Sequence, residues 1–176
     1  AVTDRRTERA GDALVFASTA FGIGVSPGEV TWQAVTGLEV FGEALDVFVA
    51  SVPRTLEITD VSSSGLESWE LADDPGDARW TRITLRYRQR FTGSRRVTFR
   101  GVMTTAVGQL WQVPRLKLSG ITSHVGQVVV HSPPGVRLQA GQASGVRRVS
   151  DVAMLSEILG KIPAGSSAMR FDAWRE

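Results

Sequence analysis

Residues 81–91 read TRITLRYRQRF, and apolar and polar side chains alternate along them almost without a break. Ile83, Leu85 and Tyr87 share one parity, whereas arginines occupy most positions of the other. Because successive side chains of a β-strand point to opposite faces, this period of two predicts a strand with one buried face and one charged face. Ile83, Leu85 and Tyr87 are therefore predicted to lie in the core.

The same alternation returns in residues 95–103, where Val97 and Phe99 share one parity. The intervening residues 92–94 include Gly93, which is typical of a short turn. The sequence therefore predicts a β-hairpin, with Val97 and Phe99 buried beside the apolar side chains of the first strand.

Composition extends the β prediction to the whole chain of 176 residues. The chain contains 22 Val, 6 Ile and 14 Thr against 13 Leu, and its 18 Gly and 7 Pro are spread between short apolar segments. β-Branched residues favour strands, and Gly and Pro separate them. We expect a single all-β domain, an antiparallel β-sandwich of jelly-roll or immunoglobulin-like type, with one short helix near the C-terminus.

Short apolar segments bounded by Gly or Pro predict the remaining strands. They lie at residues 14–16, 30–34, 38–43, 44–51, 56–61, 66–71, 109–113, 115–118, 126–131, 135–139 and 145–149, and an edge strand is expected in the tail near Met169, Phe171 and Trp174. Only Ser150–Leu159 has helical spacing, with Ser150 as a suitable N-cap, and residues 150–176 are predicted to form this helix and a tail. Residues 1–12 are polar and are predicted to form a flexible arm.

Charge is divided unevenly along the chain, although the formal net charge is only +2. Residues 1–78 hold 4 basic and 14 acidic side chains, a sum of −10, whereas residues 79–176 hold 16 and 4, a sum of +12. Two interpretations stay open. Neighbouring acidic and basic strands neutralise each other, or the basic half presents a face to an external polyanion.

Six arginines are the strongest candidate binding residues, because their parity is opposite to that of the buried residues of the predicted hairpin. They are Arg82, Arg86, Arg88, Arg90, Arg96 and Arg100. A row of guanidinium groups suits the sulfate, carboxylate or phosphate groups of a polymer such as a polysaccharide. The alternative, which we favour, is that acids of the first half pair with this row across the sheet, the candidates being Glu39, Glu43, Glu57, Glu67 and Glu70.

Trp80 is the second candidate, as a platform for stacking on a sugar. Trp32 and Trp111 lie within apolar alternation and are predicted to be core residues, whereas Trp80 stands beside an acidic turn and is expected to be exposed. Most tryptophans in a small β domain are core or half-buried, so carbohydrate binding is the less frequent role.

The sequence predicts no metal site and no cofactor. His124 and His131 are the only histidines, and their separation along the chain does not direct both rings at one metal ion. Asp73, Asp74 and Asp77 form a cluster of carboxylates such as Ca²⁺ prefers, but the Pro-Gly pair between them explains the segment as a turn.

Motifs for catalysis are also missing from the sequence. With no cysteine, the chain has no thiol nucleophile, no disulfide and no cysteine-based metal site. It contains no P-loop, no complete dinucleotide fingerprint and no nucleophile elbow. A pair of acids for glycoside hydrolysis is defined by spatial separation and stays open. We expect a protein that is not an enzyme.

Residues 38–70 contain an alternating strand, then Val52-Pro53, then Leu56-Glu57-Ile58 and finally Trp69 after a Ser/Gly turn. This rhythm resembles the β-rich segments of very large planctomycete-type bacterial envelope proteins, and residues 126–136 are similar to another part of the same segments. The resemblance includes no catalytic motif. It implies an extracytoplasmic scaffold, periplasmic or on the cell surface.

The leading hypothesis is therefore a non-catalytic structural, scaffold or adhesion module of a larger exported bacterial protein. The chain starts with Ala1 and has no signal segment, which favours a piece of a longer protein whose other domains are its partners. A carbohydrate- or polyanion-binding module is the alternative, and a hydrolase with an acid pair is the third hypothesis. No apolar run reaches the roughly 20 residues of a membrane helix, and we expect neither membrane insertion nor a nucleic-acid partner.

Overall fold

The computed structural model describes residues 13–142, 146–149, 160 and 167–175, and all regular structure in this part of the chain is β-strand. The strands are β1 (Leu14–Ser26), β2 (Glu29–Pro53), β3 (Glu57–Ser63), β4 (Leu66–Asp73), β5 (Trp80–Thr104), β6 (Lys117–Leu118), β7 (Ser123–Ser132), β8 (Val146–Val149) and β9 (Ser167–Arg175). The prediction of an all-β protein is confirmed. The predicted helix at Ser150–Leu159 and the predicted arm at residues 1–12 lie outside the described residues. Within those residues, no helix has the length and apolarity that crossing a membrane requires.

The strands form one hydrogen-bonded sheet in the order β3-β5-β2-β1-β7-β9-β8, with β4 added to β5 and β6 added to β2. Neighbouring strands are antiparallel except β1 and β7, which run parallel with Phe16 opposite Ser123. The turn Pro27-Gly28 joins β1 to β2, and Gly28 has a φ of 88° there. The tail forms a strand as predicted, but β9 lies inside the sheet between β7 and β8 rather than at its edge.

The two longest strands, β2 and β5, bend at the same place. Val40 on β2 lies opposite Gly93 on β5, and the next paired residues are Leu45 and Phe91, so the register shifts here. Gly42 and Gly93 have φ angles of 80° and 76°. This left-handed backbone conformation suits glycine and is typical of a β-bulge, which bends a strand without ending it.

The predicted hairpin within residues 81–103 is wrong. β5 passes through Gly93 without reversing, and its two halves pair with β2 instead of with each other. Gly42 likewise bends β2 and does not separate the two strands predicted around it. A glycine with positive φ serves a short turn and a bulge equally well, so the local sequence does not distinguish the two.

This bend divides the sheet into two arms. The large arm contains β3, the second half of β5, the first half of β2, β1, β7, β9 and β8, and the small arm contains β4, the first half of β5, the second half of β2 and β6. In each arm alternate side chains point to a buried inner face, and the others point to an outer face. Buried side chains from both arms belong to one core cluster, so the bent sheet encloses its core between two layers.

The predicted core residues lie on the inner face. Ile83, Leu85, Tyr87, Val97 and Phe99 are each at most 5% exposed, which confirms their predicted burial. Trp32, also predicted as core, packs on Phe21 with the ring centroids 5.9 Å apart, and its indole N–H donates a hydrogen bond of 3.2 Å to the carbonyl oxygen of Pro114. The parity of the sequence therefore identifies the buried face correctly on both sides of the bend.

Three other segments differ from the prediction, two of them completely. Residues 109–113 and 135–139 form no strand, and the strand predicted at 115–118 is reduced to the two residues of β6. A strand needs a neighbouring backbone to pair with, and neither segment is paired with one. Leu110 in the first segment is instead 88% exposed.

Candidate binding surfaces

The bend in β5 separates the six candidate arginines. Arg82, Arg86, Arg88 and Arg90 lie on the small arm, and Arg96 and Arg100 lie on the large arm. All six have the parity opposite to that of the buried residues and therefore lie on outer faces. The prediction of one row on one hairpin is wrong, because the two halves of β5 belong to different arms.

Three of these arginines form ion pairs with acids of the first half of the chain. Arg86 Nη2 lies 3.4 Å from Glu70 Oε1 on β4, and Arg90 Nη2 lies 3.0 Å from Glu43 Oε1 on β2. Arg100 Nη1 lies 3.0 Å from Asp60 Oδ2 on β3. Each side chain of these pairs is about half exposed, so each pair contributes only about 0–1 kcal/mol to stability. Their main effect is to neutralise charge between neighbouring strands.

The other three arginines differ from one another. Arg82 is half-buried, and its charge helps to lower the pKa of Asp74, although its Nε has no hydrogen-bond partner among the described residues. Arg88 and Arg96 are exposed, and no described acid lies within ion-pair distance of them. Of these two exposed guanidinium groups, one thus lies on each arm, and they do not form a continuous row.

Trp80 is half-buried at the start of β5, where it pairs with Pro53. The Nζ of Lys117 lies 3.5 Å from the centroid of the Trp80 ring, within the range of a cation–π contact. Lys117 thus occupies one face of the ring. A sugar that stacked on this face would have to displace the lysine, which makes Trp80 a poorer platform than the sequence indicates. Trp111 is half-buried against the core.

The carboxylates of the acidic turn have separate partners. Asp73 pairs with Arg54 at 3.3 Å, and Asp74 accepts hydrogen bonds from the Gly76 N–H at 2.9 Å and the Ser51 hydroxyl at 3.0 Å. These two donors, the Gly76 N–H first, lower the pKa of Asp74. Asp77 accepts from Arg79, whose guanidinium lowers the pKa of Asp77 to about 2. Within the described residues no three potential metal ligands come together, here or elsewhere.

The two histidines lie on opposite faces of β7. His124 is buried on the inner face with its Nε2 2.8 Å from Thr19 Oγ1, which is in turn 3.0 Å from Thr36 Oγ1. His131 lies on the outer face, and burial lowers its pKa. This chain of buried polar side chains is not among the sequence-based predictions, although Thr19 and Thr36 share the parity of the core residues around them.

An apolar patch that the sequence-based predictions do not include lies on the outer face of the large arm. The patch consists of Leu14, Phe16, Phe41 and Val125, which are 49%, 41%, 53% and 43% exposed. Leu14 lies opposite Phe41 across β1 and β2, and the Phe16 and Phe41 rings meet edge to face with centroids 6.1 Å apart. Val125 on β7 lies opposite Ser18, two residues along from Phe16. The sequence contains an indication of this patch. Leu14, Val15 and Phe16 are consecutive apolar residues, so a strand that contains them has apolar side chains on both of its faces.

Further along the same outer face, apolar side chains are buried. Ala20, Val35 and Val129 are 7%, 8% and 1% exposed, and their parity is that of the outer face. Ala20 lies opposite Val35, and Val129 lies opposite Gly22. The outer face of β1, β2 and β7 is thus covered in its middle and open at the end that carries the patch.

Comparisons with known proteins bear on the fold alone. No protein-family model and no curated protein matches the chain, but solved structures do. Native leukotriene A4 hydrolase from Saccharomyces cerevisiae is 11% identical and aligns with 92% of this chain and 27% of its own, with a TM-score of 0.51. The same yeast enzyme in complex with bestatin aligns with 92% of this chain and 26% of its own at 11% identity, with a TM-score of 0.52.

A non-cellulosomal cohesin from the archaeon Archaeoglobus fulgidus is 12% identical and aligns with 68% of this chain and 91% of its own, with a TM-score of only 0.36. That score is too low to support an argument. This chain spans about a quarter of the length of the yeast enzyme. What the comparisons establish is that nearly the whole chain adopts a β fold that also occurs as one part of a longer protein.

Proposed function

We propose that this protein is a non-catalytic scaffold or adhesion module of a larger exported bacterial protein, and that it packs against a neighbouring protein domain through the outer face of its large arm. The observation that carries the proposal is the patch of Leu14, Phe16, Phe41 and Val125. Exposed, contiguous apolar side chains on a sheet face are typical of a surface that another protein covers. The exported location rests on the resemblance to envelope proteins.

The kind of partner follows from the geometry of the patch. It lies on the same outer face as the buried Ala20 and Val35, one pair of residues further along β1 and β2 than Ser18 and Gly37. Phe16 and Phe41 meet edge to face, so the edge of one ring already occupies a face of the other that a sugar would need for stacking. An apolar protein surface fits this shape better than a carbohydrate does.

The non-catalytic part of the proposal is supported by the positions of the acids. Every Asp and Glu between residues 13 and 142 is exposed or half-buried, and none in this range is in the core. A hydrolase with an acid pair would need at least one carboxyl group in an apolar setting that raises its pKa, whereas the shifted carboxyl groups here, Asp74 and Asp77, are lowered.

Cysteine labelling tests this proposal, because the chain has no cysteine of its own. A Phe41→Cys variant is prepared both as this chain alone and within a longer protein that contains this chain. The rate of maleimide labelling at position 41 is then measured in each by mass spectrometry. We expect labelling to be at least about tenfold slower in the longer protein. Leu71→Cys, on the small arm and similarly exposed at 45%, is the control and should label equally fast in both. Equal rates for Phe41→Cys would overturn the proposal.

A polyanion-binding module is the second candidate, and the exposed Arg88 and Arg96 are the observation that favours it. If they bind a sulfated polysaccharide, affinity should fall steeply with salt, because each contact releases counterions. Titration with heparin at about 0.15 M salt decides the question. A dissociation constant in the low micromolar range that is weakened by Arg88→Ala would favour this candidate over the scaffold. Negligible binding leaves the scaffold as the better proposal.

A further inference from the structure

The connection between β5 and β6 begins with an uncharged loop, residues 105–114, at one end of the sheet. The sequence has no charged residue between Arg100 and Arg115. Val107 and Leu110 in this loop are 84% and 88% exposed, which makes them the most exposed large apolar side chains of the described residues. Water-exposed aliphatic side chains at a loop tip are unfavourable in isolation, and their presence points to something that covers them.

The loop has a defined shape. The Thr105 N–H donates a hydrogen bond of 3.2 Å to the carbonyl oxygen of Gly28, which attaches the start of the loop to the turn between β1 and β2. The Gln109 N–H donates to the carbonyl oxygen of Ala106 at 3.2 Å and closes a turn around the tip. Gly108 has a φ of 80°, a conformation that this turn requires and glycine permits.

Along the chain from the tip of the loop, aliphatic, aromatic and cationic side chains follow in that order, with the exposed Gln109 and Gln112 between them. The aliphatic Val107 and Leu110 come first, and the half-buried Trp111 follows with its ring packed against the core. The exposed Arg115 stands next along the chain. Aliphatic side chains, then an aromatic ring, then a cation is the order in which groups meet the acyl, interfacial and headgroup layers of a bilayer.

Neighbouring loops at the same end of the sheet are also poor in charge. The turn at Pro27-Gly28 lies at this end because Val25, Val30 and Met103 are in register there. The segment after β7, residues 133–135 onward, lies there too because β7 runs parallel to β1 with His131 opposite Gly24. In residues 26–29, 105–116 and 132–142 the charged residues are Glu29, Arg115 and Arg137. Cations therefore outnumber anions where headgroups would lie, which complements an anionic lipid surface.

From this arrangement we infer that the loop at residues 105–114 inserts Val107 and Leu110 into the interface of an anionic lipid bilayer. The inference goes beyond the proposed function, which concerns a different surface, and it departs from the sequence-based expectation of no membrane insertion. A bilayer is favoured over a protein partner because the loop itself carries no charge and the charged residues around it include more cations than anions. Two aliphatic side chains anchor a protein only weakly, so binding should be reversible.

Vesicle flotation tests the inference. The chain is mixed with vesicles of phosphatidylcholine containing about one-third phosphatidylglycerol, and the bound fraction is measured as lipid is titrated. We expect the double variant Val107→Ser/Leu110→Ser to bind at least about tenfold more weakly than the unmodified chain. The matched control is Val47→Ser/Leu71→Ser, which removes a valine and a leucine that are 38% and 45% exposed on the small arm, and it should bind normally.

A spectroscopic measurement distinguishes insertion from simple charge attraction. A Leu110→Cys variant carrying a polarity-sensitive fluorophore should shift its emission to shorter wavelength on addition of vesicles, whereas the same label at Leu71→Cys should not. Three results would each overturn the inference: no flotation of the unmodified chain, equal flotation of the Val107→Ser/Leu110→Ser variant, or an unchanged emission at position 110. None of these results affects the proposed protein contact, which is tested separately with the Phe41→Cys variant.

Discussion

Gly101 lies on the inner face of β5, opposite Ile58 at the start of the neighbouring strand β3. A Cβ atom added at this position would be 2.7 Å from the carbonyl oxygen of Glu57 and 3.2 Å from the Leu56 side chain. The first of these atoms belongs to the backbone and cannot turn away. The position therefore excludes every side chain. The reason is the close approach of the strands β3 and β5 rather than an unusual φ.

For Gly101→Ala we expect a loss of about 1–3 kcal/mol in the free energy of unfolding, because β3 must move away from β5 to make room. Gly76→Ala is the control, since its added Cβ would make only an ordinary contact of 3.4 Å with Asp74. That control should be close to neutral. Urea denaturation followed by tryptophan fluorescence measures both, and equal stability of the two variants would contradict the account of Gly101.

His131 links stability to pH. Burial lowers its pKa below the usual 6.5, so the folded protein binds a proton there less readily than the unfolded chain does. The stabilising contribution is complete above about pH 6.5 and is lost as the pH falls through the lowered pKa. We expect His131→Gln to make the dependence of the urea midpoint on pH shallower between about pH 7 and 5. An NMR titration of the His131 ring with a midpoint at or above 6.5 would show that the premise is wrong.

At the scale of elements, Gly93 and Gly42 decide the shape of the sheet. Gly93 has open space around the position of a Cβ, so a substitution there meets backbone strain alone. We expect Gly93→Val to destabilise the protein by at least about 1–2 kcal/mol, and Gly93→Asn to destabilise it clearly less, because asparagine tolerates the left-handed conformation better. Thermal unfolding of the two variants compares them directly. A Gly93→Val variant as stable as Gly93→Asn would mean that the bend does not depend on this residue.

The sequence predicts features of the strands that depend on neighbouring residues, but not those that depend on pairing between distant segments. Alternation of apolar and polar residues identifies β5 and the inner-face residues from Ile83 to Phe99, since parity is a local property. It does not identify the partner of a strand, and for that reason the two halves of β5 are predicted to pair with each other instead of with β2. The arginine row is subject to the same limit. Its outward direction follows from parity, but its division between two arms and its pairing with Glu43, Asp60 and Glu70 follow from topology.

At the scale of the whole molecule, both arms share one core. Leu85 of the small arm and Phe99 of the large arm are each fully buried in the same cluster. We therefore expect the arms to unfold together in a single transition. Leu85→Ala should lower the free energy of unfolding by about 2–5 kcal/mol and Phe99→Ala by about 3–5 kcal/mol, each by shifting that one transition.

Circular dichroism and tryptophan fluorescence, recorded in parallel during urea denaturation, measure this cooperativity. Phe16→Ala, which removes a ring that is 41% exposed, serves as the control and should cause a smaller loss. Separate transitions for the two probes, or a transition that only one of the core variants shifts, would contradict a shared core.

The parallel pairing of β1 with β7 also determines when the fold can be completed during synthesis. The N–H of Val15 donates to the hydroxyl of Thr122, 107 positions later, and Phe16 lies opposite Ser123. A nascent chain can pair β1, β2 and β5 as they leave the ribosome, but one edge of β1 stays open until β7 has been made. That edge belongs to a strand with apolar side chains on both faces, the kind of edge on which chains associate with one another. A ribosome paused before residue 123 would hold a chain prone to aggregation, and high contact order of this kind makes the last step of folding slow.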